Sequence, residues 1–182
     1  MNKVPIDLQK GKVILYPGAT ALVTCTYEGK SNIITITFIS PVSDRPPTVI
    51  ISVSPKRYSY DMLINSKEYV INIPGPEILK ETHFCGRHSG KDMDKFKETG
   101  LSASPAQMVK APIIKECFAH IECKLVDIHP VGSHKLFIGE IVAASINEGL
   151  FDSTLILGEE KVKTLHFLGG NKYGLLKKEV IA

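Results

Sequence analysis

No two of the four cysteines stand at C-x-x-C spacing, and the chain contains no G-x-G-x-x-G, no G-x-x-x-x-G-K-[ST] and no G-x-S-x-G. These absences argue in turn against a dithiol redox couple, a Rossmann dinucleotide site, a P-loop and a nucleophile elbow. No run of Lys and Arg forms a stripe, and 22 basic against 19 acidic residues leave a formal charge of only +3. A general polyanion binder is therefore not expected, and nucleic acid is not a predicted partner. A mildly basic surface still favours phosphorylated small molecules. Met1–Gly11 mixes Lys3, Asp7 and Lys10 with apolar residues and has no apolar h-region, and no apolar run approaches a membrane span. A cytoplasmic chain without membrane contact is the expectation. In that compartment Cys25, Cys85, Cys117 and Cys123 read as buried free thiols.

What is present is mostly strand. Ala19–Tyr27 is rich in β-formers and is closed by Glu28-Gly29-Lys30 as a turn. Asn32–Ser40 follows, with Ile34, Ile36 and Phe38 alternating against Thr35 and Thr37, so the two runs predict a hairpin. Pro46-Pro47 forces a break, and Thr48–Val53 is apolar at nearly every position, as in a strand covered on both faces. Glu68–Ile73, Ala119–Ile128 and His134–Ile146 are further strands, the last two joined through Pro130-Val131-Gly132-Ser133. Short helices are expected near Tyr60–Ser66 with Ser59 as cap, from Pro76 to about Thr82, and over Asp92–Thr99 with Gly100 as stop. With 182 residues, 43% hydrophobic and 23% charged, and no repeat or linker, the chain is predicted to be one domain over 1–182. The fold class is mainly β, an antiparallel β-barrel with a few short helices.

Two segments could hold a phosphate. Cys85-Gly86-Arg87-His88-Ser89-Gly90-Lys91-Asp92 precedes the Asp92–Thr99 helix and combines two glycines, a hydroxyl and several donors. If it opens that helix, its backbone N–H groups and Lys95, one turn in and reaching back, face an anion. The alternative is a solvated loop whose Ser89 and Asp92 cap the helix. Pro55-Lys56-Arg57-Tyr58-Ser59 leaves a buried strand and could pair Arg57 and Ser59 with phosphate, or be an exposed turn with a cap. His83, Cys85 and His88 have zinc-type side chains but lack a fourth ligand, so no metal site is predicted. His134 begins a long strand beside a glycine turn. It is either structural or a contact to a flavin or nicotinamide ring.

These pieces, in this order, resemble the flavin reductase-like FMN-binding split-barrel family, and its flavoredoxin-like members. Pro17-Gly18 and Ala21–Thr24 look like the opening strand. Asn32, Thr35 and the run to Phe38, then Ser40 to Pro47, are similar to an N-x-x-T…S-x-x-PP signature. Ser89-Gly90 with Asp94-Lys95-Phe96 resembles SG-x-x-x-DKF, the most specific match. Gly132 to Glu140 resembles G-D-H-x-L-F-x-G-E, and Phe167, Gly169-Gly170 and Tyr173 resemble the closing H-x-G-G-x-x-Y.

The resemblance implies FMN as cofactor and a homodimer. It implies that Asn32, Thr37 and Phe38 face the flavin ring, and that Ser59, Ser89 and Lys95 hold phosphate or ribityl oxygens, with Thr35, Arg57 and Gly90 as further cofactor-binding candidates. His134 and Phe167 would complete the pocket. No residue is singled out as catalytic, because the cofactor carries the electrons. Three departures stand out: Phe38 replaces a usual Trp, Ser59 a usual Thr, and Ser133 the usual Asp before His134. The expected activity is NAD(P)H-dependent flavin reduction, with NADH or NADPH as donor. The alternatives are an electron carrier served by a protein donor and a non-enzymatic flavin-binding redox module.

Overall fold

Alternation along Ala21–Tyr27 places Ala21, Val23 and Cys25 on one face of a strand and Leu22 on the other, and both faces are buried. That double burial organises the rest of the molecule. In the computed structural model, residues 3–16, 18–158, 162–176, 178 and 180 are described; Pro17 of the expected opening strand lies outside them. The strands in chain order are β1 (Gly18–Ala19), β2 (Ala21–Tyr27), β3 (Lys30–Ile36), β4 (Ile39–Asp44), β5 (Pro47–Val53) and β6 (Glu68–Ile73). After them come β7 (Ala103–Ser104), β8 (Ile113–Ile114), β9 (Ala119–Val131), β10 (His134–Ile146), β11 (Phe151–Asp152), β12 (Thr154–Leu155), β13 (Leu165–Gly169) and β14 (Lys172–Leu175). The helices are α1 (Tyr58–Ser66), α2 (Leu79–Arg87) and α3 (Lys95–Thr99).

Seven strands form one antiparallel sheet in the order β3-β2-β6-β9-β10-β5-β4. The sheet curls so that β3 returns beside β5, giving a barrel closed by side chains on that side. Inside lie Val23, Ile34, Ile36, Ile51, Val53, Tyr69, Ile71 and Phe137, with Tyr60, Met62 and Leu63 of α1 filling one end. Burying one such side chain fully contributes about 1.5–3 kcal/mol, so this cluster is the main source of stability. The outer face of β2 and β3, through Leu22 and Ile33, packs against Ile78, Cys85, Leu101, Ile114 and Cys117. A second sheet, β1-β13-β14, lies beside the barrel. Among the described residues no helix is long and apolar enough to cross a membrane.

The mainly β, antiparallel architecture is as expected, but five local readings are corrected. The run Asn32–Ser40 is not one strand: β3 ends at Ile36, and β4 begins at Ile39 as the partner of β5. The alternation continues through the break, so it gave no sign of it. The β4–β5 ladder also slips between Pro41 and Ser43, where proline has no N–H to give. Helix α1 begins two residues early, with Arg57 at the N-cap and no side-chain cap; Ser59 is inside the helix, and its hydroxyl is taken by Asn32. Helix α2 runs on to Arg87, so Cys85-Gly86-Arg87 is its last turn and not a loop. Gly86 is useful there because a Cβ would sit 3.2 Å from the Thr35 side chain. Helix α3 begins only at Lys95 and is capped by Asp94, whose Oδ1 accepts from the N–H groups of Phe96 and Lys97 at 3.0 and 3.3 Å. Neither Ser89 nor Asp92 caps it, and its donors are occupied by Asp94, which removes the helix-terminus anion site. Finally, β9 extends to Val131, leaving Gly132-Ser133 as the turn before β10.

All four cysteines are free and buried. Burial pushes the Cys85 thiol up to about 11 and the Cys25 and Cys123 thiols up to about 12. The thiolate, which is the reactive form, is then negligible near neutral pH. The native protein is expected to give no rapid colour with Ellman's reagent at mildly alkaline pH. Four thiols should titrate after unfolding in guanidinium. A fast-reacting thiol in the native protein would contradict this packing.

Candidate functional site

Strand β3 delivers side chains to both of its faces at the point where three other segments converge. These are the α1 entry (Lys56–Ser59), the last turn of α2 with the loop to Gly90, and Lys95 of α3. Together with Asn32, Ile34 and Thr35 they enclose a cleft of about 140 Å³. A second basin of about 150 Å³ adjoins it and shares Ile34, Thr35 and Arg57. Its other walls include Thr37, Phe38, Ser52, Ser54 and His134.

The floor of the first cleft is hydrogen-bonded. Buried Asn32 donates through Nδ2 to Ser59 Oγ at 2.7 Å. Gly90 passes so close that a Cβ there would overlap Asn32 Oδ1. Thr35 Oγ1 donates to Thr82 O at 2.6 Å, fixing β3 to α2. Arg87 Nη2 donates to Gly170 O at 2.8 Å and ties the end of α2 to the β13–β14 turn.

Lys95 departs most from its sequence reading. A lysine in the charge-rich run Asp92–Thr99 has the form of a solvated side chain, yet Lys95 is only 4% exposed. Its Nζ donates to Ile33 O at 2.8 Å and to Cys85 O at 2.7 Å. Those two carbonyls account for two of its three protons, and the residue still lines the cleft. Burial lowers its pKa, and the nearby Arg57 charge pushes the same way. Four cations line the first cleft (Lys56, Arg57, Arg87 and Lys95), and no carboxylate does. Among the described residues no ion pair engages Arg57.

Ten of the eleven residues singled out from the sequence line these two spaces. Asn32, Ser59, Ser89, Gly90 and Lys95 are in the first, Thr37, Phe38 and His134 in the second, and Thr35 and Arg57 in both. Phe167 lines neither; its ring lies edge-on to Tyr16 and Tyr173, each at 5.5 Å between centroids. His134 has Ser133 Oγ 3.0 Å from its Nδ1, and its ring centroid stands 6.0 Å from that of Phe38. The serine hydroxyl thus occupies the position from which the resemblance led us to expect a carboxylate. Lys12 Nζ lies 5.9 Å from the Phe38 ring centroid. His83 and His88 turn apart, the former to Tyr173 Oη at 3.2 Å and the latter stacked on Phe84 with centroids 3.9 Å apart. Tyr58 and Ile34 were missed as lining residues; only their place beside Arg57 and Asn32 hinted at it.

The geometry generates two expectations. Lys95→Met leaves two buried carbonyls without their donor, and a hydrogen bond to a charged group is worth about 1.5–3 kcal/mol. The melting temperature should fall by roughly 5–10 °C at about 2–4 °C per kcal/mol, whereas exposed Lys97→Ala should stay within about 0.5 kcal/mol of wild type. Equal thermograms for the two variants would exclude the buried clamp. Gly90→Ala must push Asn32 aside, so it should weaken any anion held in the cleft by about tenfold with the fold kept. Calorimetric titration against the parent protein measures this.

The chain is similar to several known proteins. An uncharacterized protein of Pyrococcus abyssi is 32% identical over 79% of this chain and 82% of its own. An FMN-binding protein from Thermus thermophilus, solved with bound 1-cyclohex-2-enone, superposes with a TM-score of 0.86 at 27% identity, over 100% of this chain and 97% of that one. A flavoredoxin from Methanosarcina acetivorans shares the fold, with a TM-score of 0.86 at 24% identity over 100% and 95% of the two chains. The model of the flavin reductase like domain matches residues 14–166, a span that holds all seven strands of the barrel sheet and ten of the eleven residues singled out from the sequence, and the chain belongs to that family.

Proposed function

We propose that this cleft binds FMN and that the protein is an NAD(P)H-dependent flavin reductase, one domain acting as a homodimer. The observation that carries the reading is the charge pattern: four cations and no carboxylate, next to a glycine that brings backbone against Asn32, as a phosphate requires. The adjoining basin has the complementary character. Ile34, Ile36, Phe38 and Val53 give it apolar walls, and Thr37, Ser52, Ser54 and His134 supply polar groups, which suits an isoalloxazine ring. FMN binding by the Thermus relative supports the same cofactor.

On this reading Arg57, Ser59, Ser89 and Lys95 hold the phosphate and ribityl oxygens, and Asn32 holds Ser59 in place. Thr35, Thr37, Phe38 and His134 line the ring. The flavin supplies the redox chemistry. The protein binds and orients it. Arg57, shared by the two spaces, places a positive charge where ring and phosphate ends meet. The Ser133 hydroxyl can donate to His134 Nδ1. In that tautomer the ring N–H is on Nε2.

The purified protein is expected to be yellow and to release FMN on denaturation. NADH or NADPH should be oxidised with free FMN as acceptor, and comparing the two identifies the donor. Stable colour without such turnover would mean instead a carrier fed by a protein donor. A colourless protein that gives no heat with FMN would overturn the reading. Light scattering should give about twice 20.0 kDa.

A further inference from the structure

Between α3 and β9 the chain forms a hairpin against the outer face of the barrel. Its stem is β7 paired with β8, and Lys115 N donates to Ser102 O at 3.0 Å just outside it. The loop of the hairpin is fastened to the barrel by side chains. Buried Glu122 of β9 accepts from Gln107 N through one oxygen at 2.8 Å and from Met108 N through the other at 2.6 Å. Half-buried Glu68 of β6 accepts from Lys110 N at 2.8 Å. Buried Asn72 accepts from Ile114 N at 2.8 Å, and Thr24 donates to Pro112 O. Among the described residues no ion pair engages Glu122 or Glu68, so their charges are answered by these N–H groups. Neither residue lines the cleft or the ring basin.

The base of the hairpin bears on Lys95. Leu101 N donates to Thr99 Oγ1 at 3.4 Å, and Thr99 Oγ1 donates to Lys95 O at 2.6 Å. Leu101, Ile114 and Cys117 share a buried cluster with Ile33 and Cys85, the two residues whose carbonyls hold Lys95 Nζ. A five-residue helix cannot fix a lysine by itself, so the hairpin that continues it must. We propose that Glu122, assisted by Glu68, is a latch: it holds the hairpin shut, and the shut hairpin positions Lys95 in the cleft. Both carboxylates are positioning residues, acting on an anion they do not touch. Only the effect on FMN rests on the reading above; the latch itself does not.

The test combines amide hydrogen exchange with calorimetric titration of FMN. Glu122→Gln keeps the shape and one acceptor oxygen but turns an amide group toward a backbone donor. Protection at Gln107 and Met108 should fall about tenfold, with the barrel strands unchanged. Coupling is reciprocal, so Lys95→Met should lower protection of the same two amides by about threefold in flavin-free protein. FMN affinity should fall about fivefold in Glu122→Gln, and the same substitution in a Lys95→Met background should add less than about twofold. Val49→Ala, in the barrel interior, controls for general loss of stability and should leave FMN affinity within about twofold of wild type. Additive losses in the double variant, an equal FMN loss in Val49→Ala, or unchanged protection in Lys95→Met would overturn the latch. Glu68→Gln loses only the tie to Lys110, and it replaces Glu122→Gln, with the same signs and smaller changes, if the latter does not fold. If wild type binds no FMN, the functional reading fails, and the exchange of Gln107 and Met108 in Lys95→Met still decides the latch.

Discussion

Lys95 places an ammonium where three elements meet, and most of the site depends on it. Its own helix is five residues long and could not persist alone. Its Nζ reaches across to a β3 carbonyl and to a carbonyl in the last turn of α2, so one charge secures β3, α2 and α3 together. Taking an ammonium out of water is costly, and two charge-assisted hydrogen bonds offset that cost without neutralising the charge. The residual demand is for negative charge, and it is directed at a cleft whose other charged walls are Lys56, Arg57 and Arg87. An anion bound there would relieve repulsion that the folded chain otherwise carries.

The remaining architecture serves to hold those walls still. The barrel interior fixes α1 through Tyr60, Met62 and Leu63, and α1 in turn carries Ser59 to Asn32. The outer core fixes α2 through Ile78 and Cys85, and Arg87 at its end is anchored to the β13–β14 turn. Thus the two segments that bring Lys56, Arg57 and Arg87 to the cleft are seated in different hydrophobic clusters, and β3 is the element common to both.

Strand content, the hairpins and the fold class were legible because two-residue alternation of β-branched residues reports burial directly. Glu68–Ile73 and His134–Ile146 are found with the predicted bounds. What misled was local chemistry that tertiary contacts override. Ser59 has the form of a cap, but its hydroxyl satisfies Asn32, and the helix starts earlier without it. Gly86 has the form of a loop residue, but Thr35 packs where its Cβ would be, and the helix runs through it. Lys95 has the form of a solvated lysine, because nothing in DMDKFKET says that two carbonyls from distant segments wait above it. The membership of the cleft was legible even so, since residues brought together by β3 kept their places whether the loops were read as caps or as ligands. Phe167 entered on resemblance alone, and it lies with Tyr16 and Tyr173 instead of along either space.

The outermost strand of the barrel sheet, β4, is almost wholly exposed, and its ladder is interrupted at Pro41. An uninterrupted exposed edge is a template on which further chains stack. Here an incoming strand would meet a missing donor, a shifted register and the Asp44 charge within six residues. Growth by edge-to-edge addition is therefore blocked on that side. Two copies that associate are accordingly not expected to do so by pairing β4 with β4.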